Sequence, residues 1–207
     1  MNSANFQQGV GVQLIRKRGT SKDTMEQVND RFLPGGRFHL EHWRNGELLN
    51  RQDVTNGITD EGKKKILDLY FLYSDTDVPD DVTEAVYIGL ISTGASLVAA
   101  DTYVSHAGWS EYTNYKVGAS DYRGKWTTGA ASGAGTVSIT NGTPITFDID
   151  GAGGTIYGIF TCSGTISEIR AQSDATAGNK LWATAALASE LAVISGDQLK
   201  ITYTVNA

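Results

Sequence analysis

The chain carries one cysteine, Cys162, and only three prolines in 207 residues. A lone cysteine cannot form a disulfide within the chain, and zinc fingers and ribbons, which need several thiolates, are excluded. Cys162 falls in the apolar-leaning stretch 156–162 and reads as a small buried hydrophobe, kept reduced in a cytosol during folding. The few prolines, with no Gly-X-Y period, exclude collagen. Charge is scarce too, at 19% of residues, and its balance is −6. A nucleic-acid binder would need clustered Lys and Arg, so none is expected. No run approaches the ~18 apolar residues of a membrane span. Residues 1–10 are polar and offer no apolar signal core. These absences predict a soluble protein, made in the cytoplasm without export and touching neither membrane nor nucleic acid.

What remains is ample for a core, since 40% of residues are hydrophobic. Twenty-four glycines exceed the usual ~7% share and point to many turns. Charge is unevenly spread: residues 1–75 hold 11 basic and 10 acidic groups, and residues 76–207 hold 6 and 13. Residues 1–36 lack sustained periodicity and end in the turn Pro34-Gly35-Gly36, so they read as an extended N-terminal arm. Residues 37–54 read as a hairpin about Asn45-Gly46, the dipeptide that type I′ turns prefer. Phe38, Leu40 and His42 share one face of it, and Trp43 lies on the other. Residues 59–73 read as the one helix, with Thr59 as its cap, Asp60 and Glu61 in its first turn, and Ile66, Leu67, Tyr70 and Phe71 as its apolar stripe. Lys63, Lys64 and Lys65 are expected to face solvent.

After residue 84 the pattern is one of strands. Val86, Ile88 and Leu90 alternate, as do Ile145, Phe147 and Ile149, and Leu199, Ile201, Tyr203 and Val205. Further candidates are 109–117, 135–140, 155–162, 166–171 and 180–187, with long connections at 93–108 and 118–134. About eight short antiparallel strands at this spacing predict a mainly β fold, a jelly-roll-like β-sandwich over residues 37–207. Ile88, Leu90, Phe147, Leu199, Ile201 and Tyr203 are its expected core. The segment His106–Trp109 should be architectural: Gly108 turns the chain, Trp109 anchors a strand, and His106 bonds a loop backbone.

Chemistry-bearing patterns are few. His39 and His42 stand three apart on a strand, point to opposite faces and cannot easily share a metal. Asp75, Asp77, Asp80 and Asp81 resemble the start of a calcium loop, but Asp80 and Val86 stand where its Gly and Glu belong. There is no G-x-S-x-G elbow, no P-loop and no dinucleotide fingerprint. Glu111 and Asp121 make only a weak carboxylate pair. The expectation is therefore a non-enzyme without metal or cofactor. Trp109, Tyr112, Tyr115, Tyr122 and Trp126 crowd 18 residues. Core, subunit interface and carbohydrate platform all explain such a cluster. In the arm, Val10, Val12, Leu14 and Ile15 can add a strand to a neighbour's sheet edge, and Arg16, Lys17, Arg18 and Lys22 can meet acidic groups there.

Several segments carry a resemblance. Gly62-Lys63-Lys64-Lys65-Ile66-Leu67-Asp68, Tyr87-Ile88-Gly89-Leu90-Ile91, His106-Ala107-Gly108-Trp109-Ser110-Glu111, Lys125-Trp126 and Gly196-Asp197-Gln198-Leu199-Lys200-Ile201-Thr202-Tyr203 resemble motifs of small virion structural proteins of tailed bacteriophages. The resemblance covers roughly residues 37–207 and leaves the arm unmatched. It implies a capsid decoration or cement protein on the capsid exterior. Such a protein bridges subunits of the major capsid protein and forms a homotrimer at three-fold positions. The alternative it leaves is a tail, neck or tail-fibre component with a glycan-binding sandwich.

Overall fold

Ten residues of alternating burial, β3 (Gly35–Arg44), meet twelve of β4 (Glu47–Ile58) across Asn45-Gly46. Both turn residues have positive φ, 51° and 80°, as a type I′ turn requires. Phe38, Leu40 and His42 point inward as the alternation predicts. In the computed structural model the described residues are 13–15, 26–28, 35–64, 85–94, 96–133, 137–163 and 179–206. The chain divides into two compact units, Met1–Leu33 and Pro34–Ala207.

In the first unit, β1 (Gln13–Ile15) pairs antiparallel with β2 (Glu26–Val28), Leu14 opposite Gln27. The segment expected to be an extended arm thus contains a short hairpin of its own.

The second unit continues with β5 (Val86–Gly94), β6 (Trp109–Tyr112), β7 (Tyr115–Lys116), β8 (Gly124–Lys125), β9 (Ser138–Thr140), β10 (Ile145–Ile149), β11 (Gly154–Ser163), β12 (Lys180–Val193) and β13 (Gln198–Asn206). Every pairing is antiparallel, and the order is β6-β5-β11-β12-β4-β3-β13-β10-β7, with β8 on β5 and β9 on β13. The expected pair of separate sheets gives way to one eleven-stranded sheet, nearly closed into a barrel. The cause is β4, which pairs with β3 through Asn56 and then, at Gly57 and Ile58, with β12. One strand therefore belongs to both halves. The sheet's two ends, β6 and β7, are joined by Thr113 and Asn114 alone, so the chain itself spans the seam. At that seam Gly124 packs so closely on β10 that a Cβ would stand 2.4 Å from Ile145 Cγ2.

The main core fills the barrel: Phe38, Leu40, Ile88, Leu90, Tyr115, Phe147, Ile156, Ile159, Leu199, Ile201 and Tyr203 are among it, including all six residues expected from alternation. A second cluster of Ile91, Tyr103, Trp109, Phe160, Cys162 and Leu181 lies on the other face of β5, β11 and β12. Cys162 is fully buried there, as a small hydrophobe should be. Residues 60–64 are helical, and Thr59 caps them by accepting from Gly62 N at 3.0 Å. Residues 65–73 of the expected helix, the strand candidate 166–171 and the acidic loop 75–81 lie outside the described residues.

Candidate functional site

Of the arm residues expected to meet a partner, Leu14 and Ile15 lie in β1, and pairing with β2 occupies one edge of that strand. Val10, Val12, Arg16, Lys17, Arg18 and Lys22 lie outside the described residues. Among the five crowded aromatics, Trp109, Tyr112 and Tyr115 are buried, and Trp126 packs partly buried on the main core. Tyr122 alone is well exposed, at 50%. For four of the five, the core reading accounts for the residue. Trp109 Nε1 donates to Asp101 Oδ2 at 3.1 Å, and its ring stacks on His106 at 3.8 Å. His106 Nδ1 lies 3.2 Å from the Trp109 carbonyl, a backbone bond as expected, though to the first residue of β6 and not to a loop. Trp126 Nε1 donates to Asn141 Oδ1 at 3.2 Å and to the Tyr203 carbonyl at 3.1 Å.

Buried charges tie loops to the barrel's strands. Arg123 sits in the second cluster, its Nε and Nη2 each 2.8 Å from a Glu111 oxygen and its Nη1 donating to Tyr103 Oη at 2.9 Å. Its guanidinium also lies 5.3 Å from the Phe160 ring centroid. Burial works against the Arg123 charge, but the Glu111 carboxylate outweighs it and holds the guanidinium firmly protonated. The fork of Arg matches the carboxylate pairwise, which Lys could not do. This pair fastens the 118–126 connection to β6.

Asp197 is a further buried charge, with no exposed surface. Its carboxylate accepts from Arg44 Nε at 2.6 Å and Nη2 at 2.8 Å, and from Ile194 N at 3.0 Å. His42 Nε2 adds a contact at 2.7 Å. The Arg44 bonds first, then the Ile194 amide and His42, hold the Asp197 carboxyl well below the usual range despite burial. The geometric consequence is that the β3–β4 hairpin tip and the β12–β13 turn are bolted together.

Between those two loops lies a cavity of about 250 Å³, lined by Trp43, Asn45, Gly46, Gly196 and Gln198. Trp43 is half-buried on the outer face, and its ring is fixed on two sides. Its Nε1 donates to Glu41 Oε2 at 3.0 Å, and Lys200 Nζ stands 4.5 Å from its centroid. Glu41 also accepts from Arg51 Nη2 at 2.7 Å, and that bond holds its carboxyl below the usual range. Opposite Trp43 in register stands Gln198, whose Nε2 donates to Asp148 Oδ1 at 2.8 Å. Gly46 and Gly196 have positive φ, 80° and 93°, and nothing within 4 Å of where a Cβ would be, so the cavity stays open. Sequence reasoning placed Trp43 on the outer face but gave it no role. Its signal was the position itself, a large aromatic where alternation calls for a solvent-facing side chain.

Among the described residues, no group of three or more His, Cys, Asp and Glu is placed to hold a metal ion. Among them, too, no helix is long and apolar enough to cross a membrane. No family model, no curated protein and no solved structure matches the chain.

Proposed function

We propose that this protein is a non-enzymatic structural component of a tailed-bacteriophage virion, a decoration or cement protein on the capsid exterior. It binds the major capsid protein and associates with itself as a homotrimer. The observation that carries the reading is the division of the chain at residue 33, a small N-terminal unit followed by a barrel with a complete core of its own. Among the described residues the barrel's core comes from the second unit, and on this reading the N-terminal unit is the part that meets a partner. The segment carries Arg16, Lys17, Arg18 and Lys22, while residues 76–207 hold 13 acidic and 6 basic groups. Charge of opposite sign on a capsid would steer it, and repeated sites on a shell would add avidity.

The barrel's buried charges support the same reading. The buried ionisable groups, Asp197 and in the outer cluster Arg123, Glu111 and Asp101, all bond within the chain and hold loops to strands. Such bonding suits a scaffold.

The test is co-sedimentation of the full chain and of residues 34–207 with particles assembled without this protein, at low and high salt. The full chain should pellet with hundreds of copies per particle, less so at high salt, and residues 34–207 should stay in the supernatant. Equal binding by residues 34–207 would overturn the role of the N-terminal unit. A handful of copies per virion would instead place the protein in the tail or neck.

A further inference from the structure

We propose that the cavity between the β3–β4 tip and the β12–β13 turn is a subsite for one neutral pyranose ring. The inference rests on the barrel alone and holds for a head or a tail protein. A sugar ring presents an apolar face of C–H groups and an equatorial belt of hydroxyls, each both donor and acceptor. Its binding site therefore needs a flat aromatic surface beside polar groups of both kinds. Trp43 lines the cavity with its indole, held in place by Glu41 on Nε1 and by Lys200 over one side.

The polar groups stand beside it. Gln198 lines the cavity and spends an amide hydrogen on Asp148, which leaves its carbonyl oxygen as the acceptor it can offer. Asn45, on the opposite wall, is exposed and offers an amide with both functions. The walls themselves are fixed. Arg44 and His42 on one side and the 194–197 turn on the other share the Asp197 carboxylate. Little ordering is left to be done on binding, which favours a weak, small ligand.

Size and charge narrow the class. At about 250 Å³ the cavity falls below the roughly 300–1,000 Å³ of drug-sized sites, and it suits one ring with its neighbours in solvent. The nearby charges balance, Arg44 against Asp197 and the Lys200 ammonium over the indole against Asp148. An acidic sugar gains no surplus cation there, so the ligand is neutral.

The test uses the full-length protein labelled with ¹⁵N. The probes are the methyl glycosides of glucose, galactose, mannose and N-acetylglucosamine, with methyl glucuronide as the charged control. At least one neutral probe should shift the Trp43 indole N–H signal saturably, with a Kd of about 1 mM or weaker, ordinary for so small a contact. The buried Trp109 signal should not move. Trp43→Ala identifies the signal by its loss and should abolish binding. Gln198→Ala alters an exposed side chain, keeps the fold and should weaken binding about tenfold, the loss of roughly one good hydrogen bond. No shift at Trp43 with any neutral probe would overturn the proposal. So would undiminished binding by Gln198→Ala, or tighter binding of the glucuronide than of the glucoside.

Discussion

On one half of the barrel β3, β10 and β13 alternate buried and exposed residues, so that one face packs and the other meets water. On the other half β11 is buried at every position from Gly158 to Ser163. Both halves share the interior core, and the difference lies outside it. Behind β5, β11 and β12 the 96–112 segment folds back, bringing Tyr103 and Trp109 onto Ile91, Phe160 and Leu181. Behind β3, β4 and β13 the outer side chains pair with each other instead, as His39 does with Asp53 at 3.1 Å and Arg51 with Glu41 at 2.7 Å. A strand flanked by water needs only period two, whereas a strand between two packed layers needs apolar or bonded groups on both sides. The covered half should therefore be fragile to changes on its outer face, and the wet half tolerant of them.

The largest effect should follow from Arg123→Ala. It leaves Glu111 buried without its guanidinium, and breaking a buried pair in this way costs about 3–5 kcal/mol. Arg51→Ala, on the wet half with its side chain 55% exposed, should cost less than about 1 kcal/mol. Chemical denaturation of the two variants checks both. Equal losses would erase the contrast between the halves.

Gly89→Ala comes next. A Cβ at Gly89 would stand 2.3 Å from Phe160 Cζ, and that ring is packed between Trp109 and Arg123. Overpacking of this kind costs about 1–3 kcal/mol, and a thermal melt would read it. A neutral outcome would mean that the outer layer yields, and that it is a cover and not a second core.

The two halves also differ in how legible they were in the sequence. The wet half was read almost completely: the hairpin, its turn dipeptide, the inward Phe38, Leu40 and His42, and the alternating Leu199, Ile201 and Tyr203 all stand where periodicity puts them. Period two is a local signal, and water on one side enforces it. The covered half was read as strands but not as a double layer. Its second layer depends on pairings between distant residues, such as Glu61 with Leu181 N at 2.8 Å. No local pattern announces these. The crowded aromatics left core, interface and carbohydrate platform open, because they divide between the two clusters, Trp109 in the outer one and Tyr112, Tyr115 and Trp126 in or on the main one, and no local periodicity announces that division. The continuous sheet was missed for a similar reason. β4 keeps its in–out burial through Thr55-Asn56-Gly57, but the polar Asn56 and a glycine carry no apolar signal where the strand changes partners. The cavity at Trp43 is built from two turns more than 140 residues apart, held by Asp197.

The pH dependence of stability separates the same regions. The Arg44 bonds, with Ile194 N and His42, depress the native carboxyl of Asp197. On acidification the unfolded chain therefore takes up the proton first. The stabilisation is complete above the ordinary Asp value of about 3.9 and drains away as pH falls below it. Asp197→Asn removes this contribution, so the variant should melt lower than wild type at neutral pH, and the gap should narrow steadily on acidification below about pH 4. Glu41, depressed by exposed Arg51, should give the same trend with a smaller amplitude in Glu41→Gln. A constant gap between wild type and Asp197→Asn across that range would show that the buried carboxylate is not what fastens the two loops.

The smallest effect belongs to the junction of the halves. Gly57 is where β4 leaves β3 and meets Thr184 of β12. A glycine at such a crossing suggests that the backbone must adopt a conformation closed to other residues, but Gly57 is not among the glycines with positive φ. A Cβ there would also find nothing within 4 Å. Alanine thus fits the native backbone without strain or clash, and it restricts the unfolded chain more than glycine does. Gly57→Ala should stabilise the protein by about 0.4–1 kcal/mol, a rise of a few degrees in Tm at this chain length. Gly89→Ala makes the same chemical change with the opposite sign, because a ring already fills the space. If Gly57→Ala destabilised the barrel instead, the crossing would require glycine's freedom after all, and the two halves would be joined by a strained hinge and not by one continuous strand.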